Sequence, residues 1–131
     1  MQIRLTSVLV EDQDRALAFY VDKLGLRKDK DIPMGAFRWL TVVSPDGADG
    51  VELVLEPIAF TPAADYQRAL FGAGIPATAF ISSDIESEYR RLKERGVVFR
   101  GSPTAMGPIK TVLFEDTCGN LINLVQPGAD A

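Results

Sequence analysis

Histidine is absent from all 131 residues of this chain. Without an imidazole there can be no Ser-His-Asp or Cys-His nucleophilic site, no histidine general base and no metal site of the kind that needs His ligands. Cysteine occurs once, as Cys118, so no intrachain disulfide forms, which fits a reducing compartment. It stands in a turn beside Gly119 and, with no base to activate it, reads as a small turn residue rather than a catalytic thiol. Long apolar runs are lacking too. None approaches the roughly 18 to 20 residues of a membrane span, and the N-terminal MQIRLTSVLVEDQD has no signal-peptide core. A cytoplasmic protein with no membrane partner is expected. Positive charge is in short supply, with 14 Lys and Arg against 18 Asp and Glu, a formal net charge of -4. A binder of phosphate backbones needs a basic footprint, so nucleic acid is not an expected partner.

What is present is a repeated pattern. Residues 3 to 10, IRLTSVLV, alternate as a half-buried strand, and Asp12 stands where a helix N-cap is wanted. In QDRALAFYVDKL the side chains of Ala16, Phe19, Tyr20 and Leu24 fall on one helical face, and Gly25 ends the helix. A short connection containing Pro33 and Gly35 follows, then a strand over 37–44, the turn PDGADG and a strand over 51–57. Residues 58 to 76 read as a linker, with Pro62, Gly72, Gly74 and Pro76 around DYQRALF, enough for a helix of one or two turns. Beyond it lie a strand over 77–82 and a helix capped by Ser83 with Glu86. That helix carries Ile85, Tyr89 and Leu92 on one stripe and stops at Gly96. Short strands over 97–103 and 110–116, the turn TCGN and a last strand over 121–127 complete the chain.

The two halves match in order and nearly in length, which makes them an internal repeat. Module one spans about 1–57 and module two about 77–127 within a single domain. Each has too little core to stand alone, so the two are expected to pair through their sheets, with helices on the outer faces and open inner faces forming a concavity.

The stretches SVLVEDQDRALAFYVDKLGL, SPDGADGVELVLEP and FEDTCGNLINLVQP together resemble the vicinal oxygen chelate superfamily, the group of glyoxalase I, bleomycin-resistance proteins and extradiol dioxygenases. The resemblance covers residues 3 to 127. It implies an α+β fold of two βαβββ modules whose curled mixed sheets enclose a cleft, commonly with a divalent metal held from the first and last strands of each module. Carried onto this chain, those positions fall on Leu5 and Glu52 in module one and on Ala77 and Asn123 in module two. Only Glu52 is a usual ligand type. One carboxylate and one amide oxygen leave a divalent ion mostly to water, so no metal cofactor is expected. The resemblance also implies a homodimer, since family members commonly pair modules across subunits.

With Leu5 facing the cleft, period-2 alternation puts Ile3 and Ser7 on the same face; Glu52, Val54 and Glu56 go together, as do Ala77, Ala79 and Ile81, and Leu121, Asn123 and Val125. The result is an apolar pocket with a few polar fixtures, the usual constitution of a small-molecule site. Glu52 reads as a general base, a partner for a cationic ligand group or a surviving metal contact, with apolar surroundings raising its pKa; the plain alternative is a solvated carboxylate on a sheet face. Asn123 grips a ligand or satisfies a neighbouring backbone group. Of Arg38 and Trp39 one must face inward: Trp39 as a stacking plate or as core, Arg38 in the opposite phase. Three functions follow. The first is metal-independent binding of a cationic or aromatic small molecule, as in drug-sequestering family members. The second is a glyoxalase-like lyase or isomerase with Glu52 as catalytic base, and the third is an assembly or regulatory domain with a vestigial cleft.

Overall fold

The computed structural model describes residues 1–128 and contains eight strands and three helices in two similar halves. In the first half, β1 (Leu5–Val10) leads through the Asp12 N-cap into α1 (Gln13–Ala18), where the Arg15 N–H donates to the Asp12 carboxylate at 2.9 Å. The helix widens into a π-helical turn over Phe19–Lys23 and ends at Gly25, whose φ of +81° is open to glycine and strained for other residues. Then come β2 (Arg27–Met34), β3 (Phe37–Val43) and β4 (Glu52–Pro57). They form a mixed sheet in the order β1-β4-β3-β2, with β1 parallel to β4. In the second half, β5 (Thr78–Ile81), α3 (Ile85–Glu94), β6 (Thr104–Met106), β7 (Ile109–Glu115) and β8 (Leu121–Pro127) repeat the plan in the order β5-β8-β7-β6.

Four sequence expectations need correction. The connection containing Pro33 is the eight-residue edge strand β2, exposed along its whole length, so no burial imposes the apolar alternation by which strands are recognised. The strand expected over 97–103 is only an isolated bridge from Phe99 to Phe114, and the true edge strand β6 lies further on. Asp84, not Ser83, caps α3, accepting from the Ser87 N–H at 3.2 Å. The supposed linker holds α2 (Thr61–Gly72), twelve residues with Pro62 in its first turn, where a missing N–H costs nothing.

No strand of one sheet pairs with a strand of the other among the described residues, so the modules do not join through their sheets as expected. They join in one core on the helix side. Val8, Val10, Leu40, Val42 and Leu55 from module one meet Val112, Phe114, Ile122 and Leu124 from module two around Ala16, Phe19, Tyr20, Ile85 and Leu92. Phe19 packs on Phe114 with ring centroids 6.2 Å apart, and Tyr20 on Phe80 at 6.4 Å. Burying this aromatic pair from the π-helical turn against module two makes each half part of the other's core.

A polar seam reinforces that junction. Asp116 is fully buried and takes four donors: the Tyr20 hydroxyl at 2.6 Å, the Cys118 N–H at 2.8 Å, and the Asn120 N–H and Nδ2 at 3.0 and 2.8 Å. Asn120 Nδ2 also donates to the Leu9 carbonyl across the seam at 2.6 Å. From α2, buried Gln67 places its Nε2 2.9 Å from the Leu9 carbonyl and 3.0 Å from that of Cys118. The segment that looked like a linker is therefore a clamp on both modules.

Burial, and then the charge of Asp116, push the Tyr20 phenol well above its ordinary value. A raised folded-state value favours folding only while the unfolded phenol keeps its proton. The urea midpoint is therefore expected to be insensitive to this group below about pH 10 and to fall as the pH rises beyond it. In Tyr20→Phe the midpoint starts lower and this alkaline loss disappears. A wild-type midpoint that holds level through the alkaline range contradicts the assignment.

Candidate functional site

The inner face of each sheet, turned away from the shared core, is where the positions singled out in the sequence meet. In module one Leu5 pairs with Glu52 and Ser7 with Val54 across β1 and β4, and Val54 pairs in turn with Thr41 on β3. Cross-strand partners share a face, so Leu5, Ser7, Glu52, Val54 and Thr41 lie together. Trp39, two residues from Thr41 and paired with Ile32, belongs to the same face and is half-buried. Arg38 does not. It goes to the helix side, where its guanidinium bonds Asp14 of α1 and Asp31 of β2, and Gln13 takes both its backbone N–H and carbonyl. Those contacts put Arg38 on the face opposite Glu52, where it lines a separate cavity with Gln13 and Pro57.

Glu52 is neither free nor simply solvated. Its Oε1 accepts from the Lys30 ammonium at 2.6 Å and from the Thr41 hydroxyl at 2.8 Å. Thr41 is fully buried, and its Oγ1 accepts the Lys30 backbone N–H at 3.0 Å. A bulge between Lys28 and Asp31 makes this possible, because it frees the Lys30 amide from the strand ladder. The ammonium, held by Glu52 and then by Asp29, sits above the ordinary lysine value. Sequence reasoning missed Lys30 because its strand was read as a connection; a charge pair on a bulged edge strand leaves no periodic signal.

In module two, Asn123 pairs with Ala79 on β5 and with Leu113 on β7. The residue opposite Asn123 is thus Ala79, the counterpart of Leu5 opposite Glu52; Ala77 lies two residues earlier, bonded through its N–H to the Leu121 carbonyl at 2.8 Å. The Asn123 Oδ1 is buried with no hydrogen-bond partner among the described residues, so this amide does not satisfy the neighbouring backbone at that atom.

These residues do not fit a divalent metal. Leucine and alanine stand opposite the two candidate donors, the Glu52 oxygen is taken by an ammonium, and no three His, Cys, Asp or Glu side chains cluster as a ligand set among the described residues. Cys118 is fully buried, with its thiol pushed up by burial first and by Asp116 second, which suits an inert turn residue.

Large apolar side chains are left in the open on both inner faces: Leu5, Ile32, Met34 and Phe37 in module one, Ile81 and Met106 in module two, the last two 69% and 66% exposed. Two cavities lie elsewhere, one of about 460 Å³ beside Gln67 and Phe71 and one beside Phe37 and Pro57, and neither has Glu52 or Asn123 in its walls. The inner faces are open surfaces in a single chain.

Comparison with known proteins agrees with this architecture. The model of the glyoxalase/bleomycin resistance protein/dioxygenase superfamily matches residues 2–124. The uncharacterized protein YurT of Bacillus subtilis is 55% identical over 126 residues, covering 96% of this chain and 99% of its own length. Among solved structures, UcmS2 superposes with a TM-score of 0.82 at 28% identity, covering 95% of this chain and 97% of its own. TnmS3, an antibiotic binding protein from Streptomyces sp. CB03234, superposes with a TM-score of 0.76 at 30% identity over 98% of this chain and 97% of its own. By sequence along nearly its full length and by its two like-ordered four-stranded mixed sheets, the chain belongs to the glyoxalase/bleomycin resistance protein/dioxygenase superfamily.

Proposed function

We propose that the protein binds an organic small molecule of the antibiotic kind on its inner sheet faces, without a divalent metal, in a cleft completed by a second copy of the chain. The observation that carries this reading is the pair of open apolar faces, each with a small polar fixture, Glu52 with Lys30 on one and Asn123 on the other. Exposed large apolar side chains on a sheet face suit a binding surface, and a small-molecule site combines apolar walls with a few polar groups. The cleft is open within one chain, and a two-fold partner would lay one module's inner face over the other's. Likeness to an antibiotic binding protein at 30% identity supports the ligand class. Localisation in the cytoplasm suits the lone reduced cysteine.

The test is a thermal-shift screen of polycyclic and aromatic antibiotics, run with and without a chelator. Any molecule that binds the native state raises the melting temperature by mass action, about 2.7 kcal/mol at a hundredfold excess over Kd. Organic compounds are expected to raise it equally with chelator present, while divalent ions alone leave it unmoved. Stabilisation that appears only with added metal overturns the reading.

A further inference from the structure

The charged group at the floor of module one's inner face is poised to do more than neutralise Glu52. Three residues close a ring: the Lys30 backbone N–H donates to Thr41 Oγ1, the Thr41 hydroxyl donates to Glu52 Oε1, and the same oxygen accepts from Lys30 Nζ. A lysine side chain ordinarily loses about 2 kcal/mol of rotamer freedom when it is fixed on a ligand. Here much of that loss has already been taken on folding. The accessible end of the pair is the ammonium: the Lys30 side chain is 45% exposed and that of Glu52 15%. Of the three ammonium protons, Glu52 takes one and Asp29, at 3.1 Å, a second. One donor direction is left for a ligand. The Lys30 ammonium first, then a hydrogen bond with Glu52, and Arg27 at longer range hold the Asp29 carboxyl below its usual range, and the cluster of Arg27, Asp29, Lys30 and Glu52 balances two charges against two. An incoming anion therefore meets a neutral cluster with a free N–H, on the sheet face that also carries Leu5, Val54 and the half-buried Trp39.

From this arrangement we infer that Lys30 is a specificity residue of the cleft, selecting ligands that carry an anionic or strongly accepting oxygen, such as a sulfonate, carboxylate or phenolate, on an apolar aromatic body. The inference rests on the proposed cleft and names the ligand chemistry that it takes. It also reverses the expectation that Glu52 meets a cationic ligand, because an internal cation already occupies that carboxylate. Placed among apolar walls, an ammonium-to-oxygen contact gains from the lowered local dielectric once a ligand excludes water.

Two probes of one skeleton test it: anionic 1-anilinonaphthalene-8-sulfonate and neutral N-phenyl-1-naphthylamine, titrated while reading emission from Trp39, the only tryptophan. The wild type is expected to bind the sulfonate about tenfold more tightly than the neutral probe, a difference that the paired variant Lys30→Met/Glu52→Gln abolishes while its affinity for the neutral probe stays within about twofold. Removing both charges avoids leaving Glu52 unpaired, and Lys30→Arg should keep most of the preference. Equal loss for both probes in the paired variant, or an unchanged preference, overturns the role of Lys30 and leaves the cleft standing. If neither probe perturbs Trp39 in the wild type, the cleft reading falls and this inference with it.

Discussion

Replacing Asp116 with alanine is expected to destabilise the protein by about 4 kcal/mol, a large fraction of the roughly 5–15 kcal/mol that holds a domain of this size together. The magnitude follows from what the carboxylate does. It accepts four donors in a fully buried setting, from Tyr20, Cys118 and both nitrogens of Asn120. Each buried donor left without an acceptor costs about 1–3 kcal/mol, and relaxation recovers part of the sum. Asp116→Asn keeps an acceptor for the two backbone N–H groups but turns an amide N–H₂ toward Asn120 Nδ2, so about half the loss is expected. Because Tyr20 donates to Asp116, the variants Tyr20→Phe and Asp116→Ala should be non-additive, the double costing less than the two singles together. Urea denaturation of the wild type and these four variants reads all of this. Strict additivity contradicts the idea of a single buried network.

Gly119→Ala should cost about 3 kcal/mol, for two separable reasons. The residue has a φ of +96°, a conformation that L side chains rarely adopt, and an added Cβ would lie 2.8 Å from Gln67 Oε1 and 2.9 Å from its Cδ. Gln67 cannot swing aside without losing its contacts with the Leu9 and Cys118 carbonyls. Gly25→Ala provides the comparison. Its φ of +81° is also positive, but the nearest atom to an added Cβ is the Arg95 guanidinium at 3.8 Å, so only the backbone strain of about 1 kcal/mol applies. Adding Gln67→Ala to Gly119→Ala relieves the collision, and the double variant should be more stable than the sum of the singles predicts. Equal costs for the two glycine variants would mean that α2 does not press on the turn.

Much of this architecture was legible because burial writes itself into sequence. Val8 and Val10, Leu40 and Val42, Leu53 and Leu55 alternate or cluster where a sheet meets a helix, and Asp12 and Gly25 mark the ends of the helical segment. The same physics hid β2. Its sequence RKDKDIPM has a sheet neighbour on one side and no cover on either face, so its charges suit an edge that must resist pairing. α2 was hidden differently. Its helix is bounded by Pro62 and Gly72, both of which read as loop, and the function of Gln67 depends on carbonyls 51 and 58 residues away in the chain. Of the candidate site, period-2 alternation grouped Leu5 with Ser7 and Glu52 with Val54, and the family resemblance suggested that both groups line one cleft. The pairing of Leu5 with Glu52 and Ser7 with Val54 puts them on one face. Alternation cannot choose between Arg38 and Trp39; the grip of Gln13 on residue 38 from the helix does. Nor can it reveal that a bulge brings Lys30 to Glu52, or that Ala79 rather than Ala77 faces Asn123. Register and bulges are settled by pairing between distant strands, which leaves little trace in local pattern.

The open inner faces, the misfit of their residues to a divalent ion and the ion pair at Glu52 are the basis of the proposed account, a ligand-binding cleft that two copies complete and no metal supports. Native mass spectrometry on the protein with its best-stabilising organic compound weighs the chain number, the ligand and any metal together. The account predicts an assembly of two chains, each 14.3 kDa, carrying the organic molecule and no divalent ion. Ligand retained on a single chain, or retained only with a stoichiometric metal, would contradict it.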